Sequence, residues 1–228
     1  MKRLSNRFTE FWLAALLCVL FALPLTAGGV VYSNGPVNGT LDAWAINQGY
    51  TVADSFTVSS TSPVGGIEFA VWLFPGDMLN SVQWSIGTSP GDSTYASGTG
   101  GTANNFLFAS PITPFNIYWE TFTLSGFLTL SPGTYWLTFS NASATAGDPV
   151  YWDENDGPSL GWNNMDGYGM AGSNCGGDGN AQCSETFQLD SPEPASMAML
   201  ASALVMFAGF FLKFAKDVRS GGEMGGAQ

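Results

Sequence analysis

Apolar and polar residues alternate along several short runs between residues 50 and 190. A period of two is typical of a β-strand that buries one of its two faces. Shorter apolar runs at residues 150–152 and 187–189 predict two further strands. The alternation places four sets of residues each on one strand face: Ile67, Phe69, Val71 and Leu73; Val82, Trp84 and Ile86; Tyr118, Glu120, Phe122 and Leu124; and Tyr135, Leu137 and Phe139.

Turn-forming residues separate these runs. Proline and glycine stand together, beside Ser or Asp, at residues 75–77, 89–92, 131–133 and 156–158. No stretch between residues 30 and 190 has a convincing helical period. Short strands joined by such turns predict an all-β chain with a single, jelly-roll-like β-sandwich domain. The Gly- and Asn-rich residues 157–182 are expected to form a long surface loop.

The first 29 residues have the pattern of a Sec signal peptide. Lys2, Arg3 and Arg7 precede an apolar run at residues 11–25, and small residues follow it at residues 26–29. Residues 1–29 are therefore expected to direct export through the Sec translocon and to be removed. This leaves residues 30–190 as the folded domain. An uncleaved membrane anchor is the alternative.

A second apolar segment lies near the C-terminus. Residues 196–212 carry no charge, and with their flanks they predict a transmembrane helix at 195–214. A helix of about 20 residues spans a hydrocarbon core of ~30 Å. Lys213, Lys216 and Arg219 follow, and such residues favour the cytoplasmic side of a membrane. Residues 221–228 are therefore expected to form a cytoplasmic tail. A buried core helix is the alternative.

A short motif precedes this segment. Ser191 is followed by Pro192, Glu193 and Pro194, and the two prolines favour an extended chain that a protease can bind. The motif, then one spanning segment, then basic residues, all behind a signal peptide, resembles the PEP-CTERM protein-sorting domain. This tail is also known as the ice-binding protein C-terminal domain, a label that we do not extend to the folded domain.

The resemblance covers residues 191–220 and implies a route for the protein. An exosortase, which is a membrane protease, would recognise the tail and cleave the chain near the motif. The chain would be held transiently in the inner membrane. It would then reach the cell surface or the extracellular matrix, often together with exopolysaccharide.

The basic residues lie only near the two ends of the chain. All six Lys and Arg residues fall before residue 8 or after residue 212, and the chain has no His. Carboxylates are spread from Asp42 to Asp190. Nucleic-acid binding needs Lys and Arg against the phosphates, so we expect no nucleic-acid partner. The acidity has two interpretations, which are solubility and the binding of divalent cations.

Two of the three cysteines lie close together within the domain. Cys175 and Cys183 enclose seven residues, and in an exported protein this spacing predicts a disulfide bond. A zinc site is a poor alternative because no His and no further Cys can complete four ligands. Cys18 belongs to the leader.

The densest acidic cluster is Asp153, Glu154 and Asp156. It does not match the spacing of an EF-hand, so a solvated turn competes with an irregular calcium site at Asp153 and Asp156. Catalysis by Ser–His or Cys–His pairs needs a His, which is absent. A glycosidase carboxylate pair has no support beyond the abundance of acids. We therefore expect no enzyme and no cofactor, apart from the calcium alternative.

Aromatic residues supply the remaining candidates. Seven tryptophans lie in the domain, and most are expected in the core. Trp152, Trp162 and Tyr168 stand at a strand end or in the Gly-rich segment, where exposed rings could stack on sugars. The first hypothesis is a structural or adhesive protein of the cell surface or exopolysaccharide, without catalysis. The second is a carbohydrate-binding module, with calcium dependence as a further expectation.

Overall fold

The computed structural model describes residues 28–39, 42–101, 103–165, 167–168 and 183–192. These residues belong to one compact unit, Gly28–Pro192. Within these ranges there is no helix, and fourteen β-strands form two antiparallel sheets. In the described part, no helix has the length and apolar character needed to cross a membrane. The predicted signal peptide up to residue 27 and the predicted helix at 195–214 lie outside the described residues.

The first sheet has eight strands around a long central one. The central strand, β4, pairs along one edge with β8, and along the other with β14 and then β10. The outer strands complete the sheet, since β1 pairs with β14, β2 and β13 pair with β10, and β7 pairs with β8. The strands are β1 (Val30–Ser33), β2 (Ala43–Ala45), β4 (Ser62–Leu73), β7 (Asn105–Ala109), β8 (Asn116–Leu130), β10 (Tyr151–Asn155), β13 (Ser184–Glu185) and β14 (Phe187–Asp190).

The second sheet has six strands in the order β12-β11-β3-β9-β5-β6. The chain passes repeatedly between the two sheets, for example from β3 to β4, from β4 to β5 and from β8 to β9. This arrangement is β-sandwich-like and confirms the predicted all-β class. The strands are β3 (Thr51–Val58), β5 (Leu79–Gly87), β6 (Ala96–Gly100), β9 (Gly133–Ala144), β11 (Gly161–Asn163) and β12 (Gly167–Tyr168).

The main core lies between the two sheets. The rings of Phe69 in β4 and Phe139 in β9 have centroids 4.3 Å apart, so side chains from the two sheets interdigitate. The predicted inward faces of β4, β5 and β9 are confirmed, because all their members are buried in this one cluster. On β8, Phe122, Leu124 and Glu120 are buried on the predicted face, and Tyr118 packs against the cluster.

The opposite face of β4 is buried as well. Ala70, Trp72 and Ile117 form a second, smaller cluster that is separate from the main core. Partly buried residues from the segments around β2 and β7 pack against it, and they include Val37 and Phe115. The C-terminal part of the central strand is therefore covered on both faces, whereas the alternation predicted a half-buried strand.

The segment predicted as a long surface loop differs from the expectation at its start. Ser159, Gly161 and Asn163 are buried, and β11 pairs with β3 in the second sheet. Gly and Asn carry no apolar alternation, so the pairing to β3, which depends on backbone hydrogen bonds, left no mark in the sequence pattern. Residues 169–182 of this segment lie outside the described residues.

The packing of Phe69 leads to a stability prediction. Phe69→Ala should lower the free energy of unfolding by about 3–5 kcal/mol, because it removes a fully buried ring from the main core. Phe106→Ala is the matched control, since Phe106 is 57% exposed on β7, and it should cost less than about 1 kcal/mol. Urea unfolding of both variants measures the difference. Equal losses would contradict the assignment of Phe69 to the core.

Candidate functional site

Four carboxylates on β3, β10 and β13 are buried, and three of them lie where β3 approaches the other two strands. Asp54, Asp153, Glu154 and Glu185 each have 0% of their surface exposed. Asp42 lies beside them, and its backbone carbonyl accepts a hydrogen bond from the Glu154 N–H at 3.0 Å. The interpretation of residues 153–156 as a solvated turn is therefore wrong for the first two acids of that run. The general expectation that acids stay in solvent fails at the same place.

Asp54 enters the cluster from the second sheet. It lies on β3 between Val52 and Phe56, which belong to the main core, at the same strand period of two. Its side chain therefore faces the first sheet. There it accepts hydrogen bonds from the backbone N–H of Glu185 and from the Ser184 hydroxyl, the latter at 3.2 Å.

Glu154 and Glu185 enter from the first sheet. They are directly opposite each other in the antiparallel β10–β13 pair. Cross-strand neighbours of like charge destabilise a sheet. Burial, then the charge of Asp42, raises the pKa of Glu154 to about 8. Burial, then the charge of Glu154, raises the pKa of Glu185 well above its usual value.

Hydrogen-bond donors are scarce in this cluster. The Asn34 side-chain nitrogen lies 2.8 Å from Asp54 Oδ2, 2.7 Å from Ser159 Oγ and 2.7 Å from the Glu185 carbonyl oxygen, with Ser184 Oγ as a fourth acceptor. An amide nitrogen carries two protons, so it can satisfy two of these four oxygens.

Three carboxylate oxygens in the cluster have no partner at all. They are Asp54 Oδ1 and both side-chain oxygens of Glu185, and all are buried. Burial raises the pKa of Asp54 to about 7, although the hydrogen bonds it accepts act in the opposite direction. The cluster therefore contains more buried acceptors than its own donors can satisfy.

Asp153 has a different environment, on the other face of β10. Its two oxygens accept hydrogen bonds from Trp72 Nε1 at 2.6 Å, Thr186 Oγ1 at 2.8 Å and Gly39 N at 3.1 Å. Burial nevertheless raises its pKa to about 6. These bonds tie β4, β10 and the segment before β2 together. Asp156 is exposed, so the structure separates the predicted calcium pair into a buried and a solvated residue.

No basic side chain balances this buried charge within the described ranges. The sequence has no Lys or Arg between residues 8 and 212 and no His anywhere. An ionised carboxylate that is buried without a partner costs several kcal/mol. The acids must therefore hold protons or meet a cation that the described residues do not supply. As they stand, no three or more His, Cys, Asp or Glu side chains of the described part are arranged to hold a metal ion.

The structure separates Trp152 from the other two predicted sugar-binding aromatics. Trp152 is fully buried; its indole N–H donates to the Thr186 carbonyl oxygen at 2.8 Å, and its ring packs against Phe139. A buried ring cannot stack on a sugar, so the prediction of Trp152 as a sugar-binding residue is wrong. Trp152 is a core residue. Trp162 is partly exposed on β11, and the strand register pairs it with Tyr168 of β12.

A further aromatic residue, Trp136, shares the outer face of the second sheet with Trp162. In the strand register Trp162 pairs with Ala53 and Trp136 pairs with Ser55, from opposite sides of β3. The alternation in β9 already predicts that Trp136 faces away from the core. Its proximity to Trp162 could not be predicted from the sequence. Hydroxyl and amide side chains occupy neighbouring positions on this face: Thr51, Thr57, Gln83, Ser85, Thr134 and Ser140.

The other predicted residues are only partly described. Cys183 is buried and disulfide-bonded. Its predicted partner, Cys175, lies outside the described residues, so the pairing stays a prediction. Pro192 is the last described residue. The rest of the sorting motif, Glu193 and Pro194, and the basic residues Lys213, Lys216 and Arg219 also lie outside.

The raised pKa values predict an unusual pH dependence. Unfolded carboxylates ionise near pH 4, whereas Asp54 and Glu154 stay protonated in the folded state up to about pH 7 and 8. Between these limits the folded state binds more protons. The free energy of unfolding should therefore fall as the pH rises, by up to about 1.4 kcal/mol per pH unit for each group.

Urea unfolding in a chelating buffer at pH 5, 6, 7 and 8 tests this dependence. Glu154→Gln removes one of the titrating groups and should give a shallower fall. If the free energy of unfolding in chelating buffer increases steadily from pH 5 to 8, the acids are not protonated in the folded state.

The comparisons with known proteins give no match from which the role of this site could be inferred. No protein-family model matches the chain. No curated protein matches it either. The likeness of the tail to the PEP-CTERM sorting domain stays a prediction.

Proposed function

We propose that this chain is an exported protein of the cell surface or exopolysaccharide matrix, with a structural or adhesive role and no catalysis of its own. The observation that carries the proposal is the complete burial of Asp54, Glu154 and Glu185. Their pKa values are raised further than those of the other acids in the described part, and their side chains face the interior of the domain. Such a placement suits a role in the architecture of the domain.

A catalytic reading of the acids has a specific difficulty. A glycosidase needs two carboxylates on either side of a bound sugar, so both must reach the substrate. Glu154 and Glu185 lie directly opposite each other, but neither has exposed surface. A polysaccharide could reach them only if strands β10 and β13 separated from β3.

The two ends of the chain supply the proposed route. The domain, a jelly-roll-like sandwich in our proposal, would lie between a signal peptide at 1–29 and a transmembrane helix at 195–214. After export through the Sec translocon, an exosortase would recognise Pro192, Glu193 and Pro194. Cleavage would release the domain from the inner membrane to the cell surface.

Processing of the tail can be tested in a Gram-negative host with and without an exosortase. The full chain carries a C-terminal epitope tag. With the exosortase, the wild type should lose the tag and move from the inner membrane to the surface fraction. A variant with Pro192→Ala, Glu193→Ala and Pro194→Ala should keep the tag, whereas Ser191→Ala should behave as the wild type. A domain found in the cytoplasm would refute export, and cleavage that ignores the motif would refute the sorting proposal.

A carbohydrate-binding module is the second candidate. It is favoured by Trp136 and Trp162, which are partly exposed on the outer face of the second sheet. Two strand spacings and two residues separate their positions in the register, which corresponds to about 12 Å between backbones. Aromatic rings stack on the apolar faces of sugars, and the Ser and Thr hydroxyls around them could bind sugar hydroxyls.

A glycan array, run with and without Ca²⁺, tests this candidate. Saturable binding should be lost in Trp162→Ala and weakened in Trp136→Ala. Phe106→Ala is the control, because it removes an exposed aromatic ring from the other sheet. Binding that survives both tryptophan changes would exclude this face. If no glycan on the array binds saturably, the sugar-binding candidate is excluded and only the structural or adhesive role remains.

A further inference from the structure

We propose that one Ca²⁺ ion binds inside the domain among Asp54, Glu154 and Glu185, where it joins β3 of one sheet to β10 and β13 of the other. The site differs from the calcium pair that the sequence indicated, since neither Asp153 nor Asp156 is a ligand. It does not depend on the proposed surface function.

The unsatisfied oxygens are the first evidence. Both carboxylate oxygens of Glu185 and Oδ1 of Asp54 are buried without any hydrogen-bond partner. Their residues are fully buried, so water does not compensate them from the surface. The two residues come from opposite sheets and are in contact, because the Glu185 backbone N–H donates to Asp54 Oδ2. Buried oxygens of this kind require either protons or a cation.

The local charge is the second evidence. Glu154 faces Glu185 directly across the β10–β13 pair, and Asp42 lies next to Glu154. The described residues contain no Lys, Arg or His that could offset these charges. None of the described residues can therefore supply the positive charge, and a bound cation would supply it. A divalent ion offsets two carboxylates at once, and it would turn the repulsion between the two strands into attraction.

The donor atoms identify the class of ion. All available atoms are oxygens, and Ca²⁺ takes six to eight oxygen ligands in flexible geometry. Zinc prefers His and Cys, and Mg²⁺ usually keeps several waters, which residues without exposed surface do not favour. The hydroxyls of Ser159 and Ser184 lie 2.7 Å apart within the same cluster and add neutral oxygens.

Binding requires the acidic side chains to move towards a common point. As noted above, no group of acids in the described ranges is already arranged around an ion. A movement of the Glu185 carboxylate breaks no hydrogen bond, because neither of its oxygens accepts one. Asp54 would keep its bonds through Oδ2 and offer Oδ1.

The test uses the full chain, first stripped with a chelator and then titrated with CaCl₂. The thermal unfolding midpoint should rise and saturate at calcium concentrations on the order of millimolar or below. At a concentration of about 100 times Kd, the folding equilibrium should shift about 100-fold towards the native state. Calorimetric titration should give one ion per chain, and MgCl₂ should have a weaker effect.

Glu185→Gln is the decisive variant because it removes a charge without breaking a hydrogen bond. In chelator it should be more stable than the wild type, and its calcium affinity should fall at least about 10-fold, because a direct ligand contributes no less than the outer-shell partners whose loss costs that much. Asp54→Asn is the second variant and should also lose the response. The control is Glu120→Gln, which removes a buried carboxylate elsewhere in the core, hydrogen-bonded to Asn104 N. It should keep the calcium response.

The outcomes separate this site from its alternatives. If the wild type unfolds at the same midpoint in chelator and in millimolar Ca²⁺, the proposed site is wrong. The buried acids are then compensated by shared protons. A calcium response that survives in both Glu185→Gln and Asp54→Asn also overturns the site and assigns the ion to surface carboxylates. Loss of the response in these two variants, with retention in Glu120→Gln, supports it. None of these results depends on tail processing or sugar binding.

Discussion

The burial of acids without basic partners is the constraint on which the rest of this structure depends. Asp54, Glu154 and Glu185 have no exposed surface, and no Lys, Arg or His occurs in the described residues. Removing ionised carboxylates from water costs several kcal/mol each unless something compensates them. The folded state must therefore bind protons or a cation at this place. The free energy of unfolding therefore depends on pH and on the cation concentration more strongly than it would if the hydrophobic core alone stabilised the fold.

The same packing that forms the core also creates this constraint. Asp54 lies two residues before Phe56 on β3, and Glu154 lies two residues after Trp152 on β10. Both aromatic residues belong to the main core, where each packs against Phe187. Because side chains alternate along a strand, an acid at this spacing must face inward with its aromatic neighbour. Burial of the rings thus forces burial of the carboxylates at the end of the core.

The close approach of the chain around the cluster explains one sequence feature. Gly157 packs against Asn34 and Ser184 so tightly that an added Cβ would overlap with both. In the sequence this residue belonged to an ordinary Asp-Gly-Pro turn, and turn formation was its whole explanation. The structure adds a second reason for glycine, which is the space that the buried polar network needs. The turn and the cluster therefore depend on the same residue.

Much of the core could be predicted, and most of the candidate site could not. The faces of β4, β5 and β9 follow from an alternation that is visible within each run of sequence. Asp54 lies on β3, a strand that none of the four predicted sets covers, and in the sequence it is one more polar residue. Glu185 belongs to a strand of two residues, which is too short to show any period. Trp152 was expected near the surface because it stands at the end of a predicted strand, yet this strand is covered on both faces.

By itself, the sequence determined the all-β class, the inward faces of the long strands and a domain without any internal basic residue. These properties depend on composition and on a period of two, which are local. Only the tertiary structure decided which acids are buried and which of them meet. Asp54 and Glu185 are 131 positions apart, and they come together because one sheet packs on the other. The energy of a carboxylate depends on its surroundings in space, and residues adjacent in sequence do not supply those surroundings.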